Sequence, residues 1–152
     1  MNDNMAAAQS EGPRMIGTPE QDAFISKSRW AVVTSLRKDG SPSNSVVFYA
    51  RDGDELLFST TSSRLKAKTL RSDARAAITV LDEGPPFGYV TVEGTATIQE
   101  DNLVPFHITL NRAMRGEPNW QPPGGFESRL RSEGRVVVHI TAARVSGVTN
   151  RG

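Results

Sequence analysis

The stretch from Trp30 to Thr60 fixes most of what this chain can become, because it reads as three short strands joined by two tight turns. Trp30-Ala-Val-Val-Thr-Ser-Leu36 is apolar on both faces, as a barrel strand is. Lys38-Asp39-Gly40 reads as a hairpin turn, since Asp-Gly tolerates positive φ. Asn44 to Ala50 is the expected return strand, Asp52-Gly53-Asp54 the next turn, and Leu56 to Thr60 the third strand. Connections this short permit only antiparallel pairing, so the chain is committed to a meander.

The remaining segments extend that plan. Thr18-Pro19-Glu20-Gln21 offers an N-cap hydroxyl, Pro at the first helical position and Gln three residues after the cap, which predicts a helix to about Ser28. Ser62 to Ser72 reads as a helix capped by Ser62 or Ser63, and Ala76 to Leu81 as a strand. Glu83 to Gly88 is a loop, because its prolines cannot donate to a ladder. Tyr89 to Ile98 alternates, with Val90, Val92, Ala96 and Ile98 on one face, and Gly94 marks a bulge or a close backbone approach. Leu103, Phe106, His107, Leu110 and Met114 have helical spacing. A Pro- and Gly-rich connection over 116–125 leads to a short helix around Glu127 to Ser132. Arg135 to Thr141 is the last clear strand, and Arg144 to Val148 is a candidate for one more. Six or seven strands with three or four short helices predict a mainly β fold, a closed or partly closed antiparallel barrel. One domain over 18–152 is expected, preceded by a polar tail, Met1 to Gly17, expected to be disordered.

Composition narrows the partners. Eighteen Lys and Arg against seventeen Asp and Glu leave a net charge of +1, which gives no general reason to expect nucleic acid or a membrane surface. Any basic site must be local. No apolar run is long enough to span a bilayer. The chain has no Cys, which excludes disulfides and thiol chemistry and is compatible with a cytoplasmic setting.

The strongest chemical signal is Ser62-Ser63-Arg64-Leu65-Lys66-Ala67-Lys68-Thr69-Leu70-Arg71. It follows a strand and opens a helix, where free N–H groups and the positive end of the helix dipole favour an anion. Ser59, Thr60, Thr61, Ser62 and Ser63 add hydroxyls, and Arg grips phosphate oxygens in two-pronged fashion. At about 100° per residue, Arg64, Lys68, Arg71 and Arg75 fall on one stripe, with Leu65, Thr69 and Leu70 opposite. Lys66 lies between them, toward the barrel, where an ammonium must snorkel or find an anion. A solvated charged face accounts for the stripe equally well, but least comfortably for Lys66.

These segments together resemble the pyridoxamine 5'-phosphate oxidase-like split β-barrel family. The resemblance is carried by the strand 30–36, Arg64-Leu-Lys-Ala-Lys-Thr-Leu70, Asp73-Ala-Arg-Ala-Ala-Ile78, Phe87-Gly-Tyr89, Glu93-Gly94-Thr-Ala96, and Arg135-Val-Val-Val-His-Ile140 with Arg144-Val-Ser-Gly147, over roughly 18–149. Arg-x-Lys-x-Lys-Thr-Leu and Glu117-Pro-Asn-Trp120 look like the branch that uses the deazaflavin coenzyme F420. The resemblance implies an FMN-binding-like split barrel and a homodimer with its cofactor cleft at the subunit interface. It places Arg64, Lys66 and Lys68 at the phosphate or acidic tail. Ser43, Ser45, Val46, Ser59, Thr60 and Thr61 would line the ring and linker, with Phe87 and Tyr89 approaching from the partner subunit. Asp73-Ala74-Arg75 stands where the family has Asp-Pro-Arg, and Phe87 where it commonly has Trp.

The function implied is a coenzyme F420-dependent oxidoreductase, transferring a hydride between the cofactor and an unsaturated small molecule. An FMN-dependent oxidase or reductase of the same fold and a non-catalytic carrier of a flavin- or haem-type ligand stay open. The cofactor brings the chemistry and the protein binds and orients it. No catalytic side chain is assigned; Tyr49 and Tyr89 are candidates for a proton donor. Glu93 reads as a partnered strand carboxylate, and Trp120 as a cleft cap or a packing anchor. His107 on an apolar helical stripe and His139 in a strand read as ordinary core or surface residues, and no metal is expected, for want of converging ligands.

Overall fold

A computed structural model describes residues 14–150. Helix α1 spans Pro19–Lys27 and begins in a full capping box. The Thr18 hydroxyl accepts from the Gln21 amide and the Gln21 side chain accepts from the Thr18 amide. Most of the expected N-terminal tail, residues 1–13, lies outside the described residues. Ile16, assigned to that tail, is buried in the core beside Phe24. Its amide donates to Asp22, and Arg51 pairs with the same carboxylate at 2.7 Å. The packed unit thus includes residues ahead of Thr18, because an isoleucine two residues before the cap can fold back onto the helix it precedes.

Seven strands follow: β1 (Trp30–Leu36), β2 (Pro42–Phe48), β3 (Ala50–Asp52), β4 (Glu55–Thr61), β5 (Arg75–Leu81), β6 (Tyr89–Gln99) and β7 (Arg135–Ser146). Every pairing is antiparallel, in the order β2-β1-β5-β6-β7-β4-β3. The sheet curls around Val33, Ile78, Val80, Val90, Val92, Phe58, Val138 and Ile140 into a half-barrel, so the expected antiparallel split β-barrel is the fold. Helix α2 (Leu65–Ser72) packs against β1, β6 and β4 and adds Leu70 to that core. Helices α3 (Val104–Arg115) and α4 (Phe126–Ser132) lie outside. A second apolar cluster of Leu57, Val137, Ala50 and Leu110 sits under α3, with Phe106 against it.

Three local departures from the sequence reading have physical causes. The return strand expected over 44–50 breaks at Tyr49, because the chain changes partner there. β2 pairs with β1, whereas β3 pairs with β4. The Tyr49 ring enters the core and its hydroxyl donates to the Ile25 carbonyl at 2.6 Å. The segment after Thr141 is not a separate strand. β7 runs twelve residues and absorbs a register shift opposite Glu93 and Gly94. There a side chain on Gly94 would strike the Thr141 carbonyl, the close approach anticipated from that glycine. Finally, α2 is not capped by Ser62 or Ser63. Arg64 holds the N-cap position without a side-chain cap bond. The Ser62 hydroxyl and carbonyl are instead taken by the Arg71 guanidinium.

The charged stripe is correspondingly shorter than helical geometry implied. The helix ends at Ser72, so Arg75 starts β5 and pairs with Asp73. Arg71 is committed to Ser62 and Glu100. Leu65 is exposed rather than buried; the inward face of α2 is Ala67, Thr69 and Leu70. A buried contact of 2.7 Å between the Ser35 and Thr69 hydroxyls fastens this helix to β1.

Candidate functional site

A cleft of about 370 Å³ opens where the outer face of β2, the end of β4, the start of α2 and the outer helices meet. Strand alternation selects its lining. On β4, Leu56, Phe58 and Thr60 point into the half-barrel, while Leu57, Ser59 and Thr61 point outward. Ser59 therefore reaches the cleft, and Thr60 is 1% exposed with its hydroxyl buried and without a partner. On β2, Val46 shares the outer face with Phe48, which stacks on Trp30 at 3.7 Å between ring centroids. Ser43 and Ser45 lie on the opposite face, registered against Ser35 and Val33.

Arg64 and Lys66 come into the cleft from α2, and Arg135 from the first residue of β7. Arg135 is held by Glu133 at 2.8 Å. Among the described residues, no carboxylate lies in ion-pair range of Arg64, Lys66 or Lys68. Lys66 is half-buried, and burial holds its ammonium below the ordinary lysine value, with Arg64 and Arg135 repelling it further. Four cations, Arg64, Lys66, Arg129 and Arg135, line the cleft with one carboxylate, Glu133, which pairs with only the two last, and in a partly dry setting this forms a standing demand for an anion. Lys68 is exposed and does not line the cleft.

The helical wall is mixed. Leu110 and Met114 on α3 and Phe126 and Leu130 on α4 supply its apolar side chains, and His107, Asn111 and Arg129 its polar ones. Trp120 does not cap the cleft. It packs edge-on against Phe126, and its carbonyl accepts from Arg112, so it anchors the 116–125 connection behind the wall. His107 also lines the cleft, 5% exposed, with Nε2 2.7 Å from Ser59 Oγ and Nδ1 2.9 Å from the Leu103 carbonyl. Burial pushes the imidazole below its ordinary value; Arg135 acts in the same direction, while the Leu103 hydrogen bond and Glu133 act against it. His139 is separate, bonded through Nε2 to Gln99 and packed edge-on against Phe106.

The structure thus brings together Ser59, Val46, Arg64 and Lys66 of the sequence-derived set. It puts Ser43, Ser45, Thr60, Thr61 and Lys68 elsewhere. Phe87, 59% exposed with φ +56°, and Tyr89 at the start of β6 also stand away from the cleft; the role expected for them was from a partner subunit. Tyr49 is no proton donor to this cleft: its hydroxyl is spent on Ile25, and burial raises its pKa. Glu93 pairs with Arg144 at 3.8 Å. Sequence reasoning did not assign His107, Asn111, Met114, Phe126, Arg129, Glu133 or Arg135. The one local signal was the four-residue spacing of His107 and Asn111, which puts two polar groups on an otherwise apolar helical face.

A curled antiparallel half-barrel beside a cleft lined by cations and apolar side chains defines the class: a split β-barrel suited to a flavin-type cofactor. A family model described as pyridoxamine 5'-phosphate oxidase matches residues 18–149, and the chain belongs to that family of flavin-type oxidoreductases. Solved structures agree. A protein named F420 reductase is 24% identical, over 82% of this chain and 94% of its own, with a TM-score of 0.65. An FAD-binding protein from Mesorhizobium loti is 20% identical, over 88% and 95%, at 0.64. A heme binding protein from Mycobacterium smegmatis is 18% identical, over 91% and 57%, at 0.65. At these identities the likeness establishes the fold. Among the described residues, no helix is long and apolar enough to cross a membrane.

Proposed function

We propose that the protein is a coenzyme F420-dependent oxidoreductase that reduces an unsaturated small molecule. One observation carries this reading: Arg64 and Lys66, without a carboxylate in ion-pair range, line the same cleft as the apolar side chains of Val46, Phe48, Leu110 and Met114. That combination suits a ligand with an anionic tail and a planar ring. The residues present fit such a group. Arg64 and Lys66 would take its phosphate. Val46, Phe48, Leu110 and Met114 would hold the ring and exclude water. The cofactor, when bound, supplies the hydride. The likeness to the F420 reductase favours the deazaflavin over FMN, as does exposed Lys68, one turn beyond Arg64, where a longer acidic tail would run.

Ser43, Ser45, Thr60 and Thr61 would act as supports for β2 and β4 rather than as direct contacts. A homodimer is part of the proposal. The outer sheet face leaves Val46 and Leu81 exposed, and a second copy there would carry its Phe87 and Tyr89 toward the cleft. A cytoplasmic location follows as the compartment in which the reduced cofactor is available.

The test is reoxidation of reduced F420 under anaerobic conditions with a panel of quinones, nitroaromatics, enones and tetrapyrroles. Acceptor-dependent reoxidation by colourless protein supports the reading. Protein that purifies with flavin or haem absorbance and leaves reduced F420 untouched would establish the FMN or carrier reading instead.

A further inference from the structure

We propose that Ser59 and His107 form the proton relay of this cleft, carrying to the substrate the proton that must accompany hydride transfer. The inference rests on the function proposed above and names the proton source that function lacks.

Hydrogen-bond polarity carries the argument. A main-chain carbonyl can only accept, so the contact between His107 Nδ1 and Leu103 O at 2.9 Å places a proton on Nδ1. Nε2 of the neutral ring then has only a lone pair. The Ser59 hydroxyl, 2.7 Å away, donates to it. In this resting state Ser59 offers the cleft lone pairs alone. One added proton, on Nε2, reverses the bond. The imidazolium donates to Ser59 Oγ, and the Ser59 hydrogen turns into the cleft as a donor.

The charges around His107 determine when that happens. Glu133 and Arg135 face it from the corner between α4 and β7, Arg129 lines its cleft from α4 and pairs with Glu133 at 3.8 Å, and Arg64 and Lys66 share the cleft from α2. On α3 itself the neighbour is Asn111, which donates to the His107 carbonyl. Phe126 meets the ring edge-on at 6.4 Å. Cations outnumber Glu133, and the ring is buried, so the empty cleft keeps His107 neutral. An anion seated on Arg64 and Lys66 offsets those cations and favours the imidazolium. Ligand uptake therefore loads the relay.

The balance closes on the substrate. The acceptor gains hydride, with its electron pair, at one atom of its double bond. The pair displaced onto the neighbouring atom takes a proton from Ser59 Oγ. Ser59 recovers its proton from His107 Nε2, and the ring ends neutral, to be recharged from solvent after product leaves.

Two measurements test this. The chain has two histidines, so their ring resonances can be assigned with His107→Gln and titrated by NMR. Sulfate, which does not itself titrate near neutrality, should move the His107 midpoint to higher pH in the wild type and far less in Lys66→Ala. An unmoved midpoint overturns the loading step. Turnover with reduced F420 should fall about 10²-fold in both Ser59→Ala and His107→Gln, far more than cofactor affinity does, with loss of the alkaline limb of the pH–rate profile, where the His107 imidazolium gives up its proton. Ser59→Ala removes a single oxygen, so it tests the relay even if His107→Gln folds poorly. Wild-type protein that does not bind F420 would remove the earlier reading and the relay with it. Cofactor binding with unchanged turnover in both variants would overturn the relay alone.

Discussion

Replacing Lys66 by Ala should weaken cofactor binding and leave the ligand-free protein at least as stable as before. The two effects have one origin. In the ligand-free cleft the Lys66 ammonium is half-buried, has Arg64 and Arg135 as charged neighbours, and has no carboxylate in range. Its charge is a cost to the folded state, and removal relieves it. With a phosphate bound, the same ammonium makes a charge-assisted hydrogen bond, worth about 1.5–3 kcal/mol. At about 1.4 kcal/mol per tenfold, loss of that bond raises Kd by about 10- to 150-fold. Arg71→Ala is the matched control on the same helix. Its guanidinium is held by Ser62 and by Glu100, an exposed pair worth about 0–1 kcal/mol of stability. It should lower the melting temperature slightly and leave Kd unchanged. The assay is a fluorescence titration with F420, beside thermal melts of the ligand-free variants. Equal, small changes in Kd for both variants would refute the assignment of Lys66 to the phosphate. A large loss of ligand-free stability in Lys66→Ala would refute the claim that its charge is unsatisfied.

Other consequences follow from single contacts. Tyr49→Phe should cost about 1–3 kcal/mol in denaturant unfolding, because the buried Ile25 carbonyl loses its donor, and should leave turnover unchanged because Tyr49 is outside the cleft. Gly94→Ala should destabilise more, or prevent folding, since the new methyl meets the Thr141 carbonyl across the β6–β7 ladder; expression and melting temperature report it. Asp73 is held down to about 2 by Arg75, first through their side-chain hydrogen bonds. A carboxylate depressed in the folded state adds stability above its unfolded value, near 3.8, that is lost as pH falls toward 2. Asp73→Asn should flatten that part of the acid unfolding curve and leave stability at pH 7 versus pH 5 parallel to the wild type.

What the sequence discloses here is mostly local. The strand Trp30–Leu36, the capping box at Thr18 and the bulge at Gly94 are legible because alternation, capping and turn chemistry act within a few residues. The break at Tyr49 is not, since it depends on which strand each half of the segment pairs with. The N-cap of α2 was misread because Arg71, nine residues on, takes the Ser62 oxygens. The same limit governs the cleft. Arg64 and Lys66 could be read from charge in a helix start, and the face of Ser59 from strand alternation. His107 could not be distinguished from a core histidine, because Ser59 lies 48 residues away and only packing of α3 over β4 joins them. Arg129, Glu133 and Arg135 come to the same cleft from a helix and a corner whose placement no short pattern encodes. The long basic stripe shows the converse error. Helical geometry was extended through Arg75, but the helix stops at Ser72 and the last two arginines satisfy local acids.

The most direct test of the central claim, that this cleft holds a phosphate-bearing deazaflavin, is a side-by-side fluorescence titration of the full chain with F420 and with FMN. The account predicts saturable binding of F420, tighter than that of FMN, and loss of that preference when Lys68, proposed to meet the longer acidic tail, is changed to Ala. Tighter binding of FMN, or binding of neither, would contradict it.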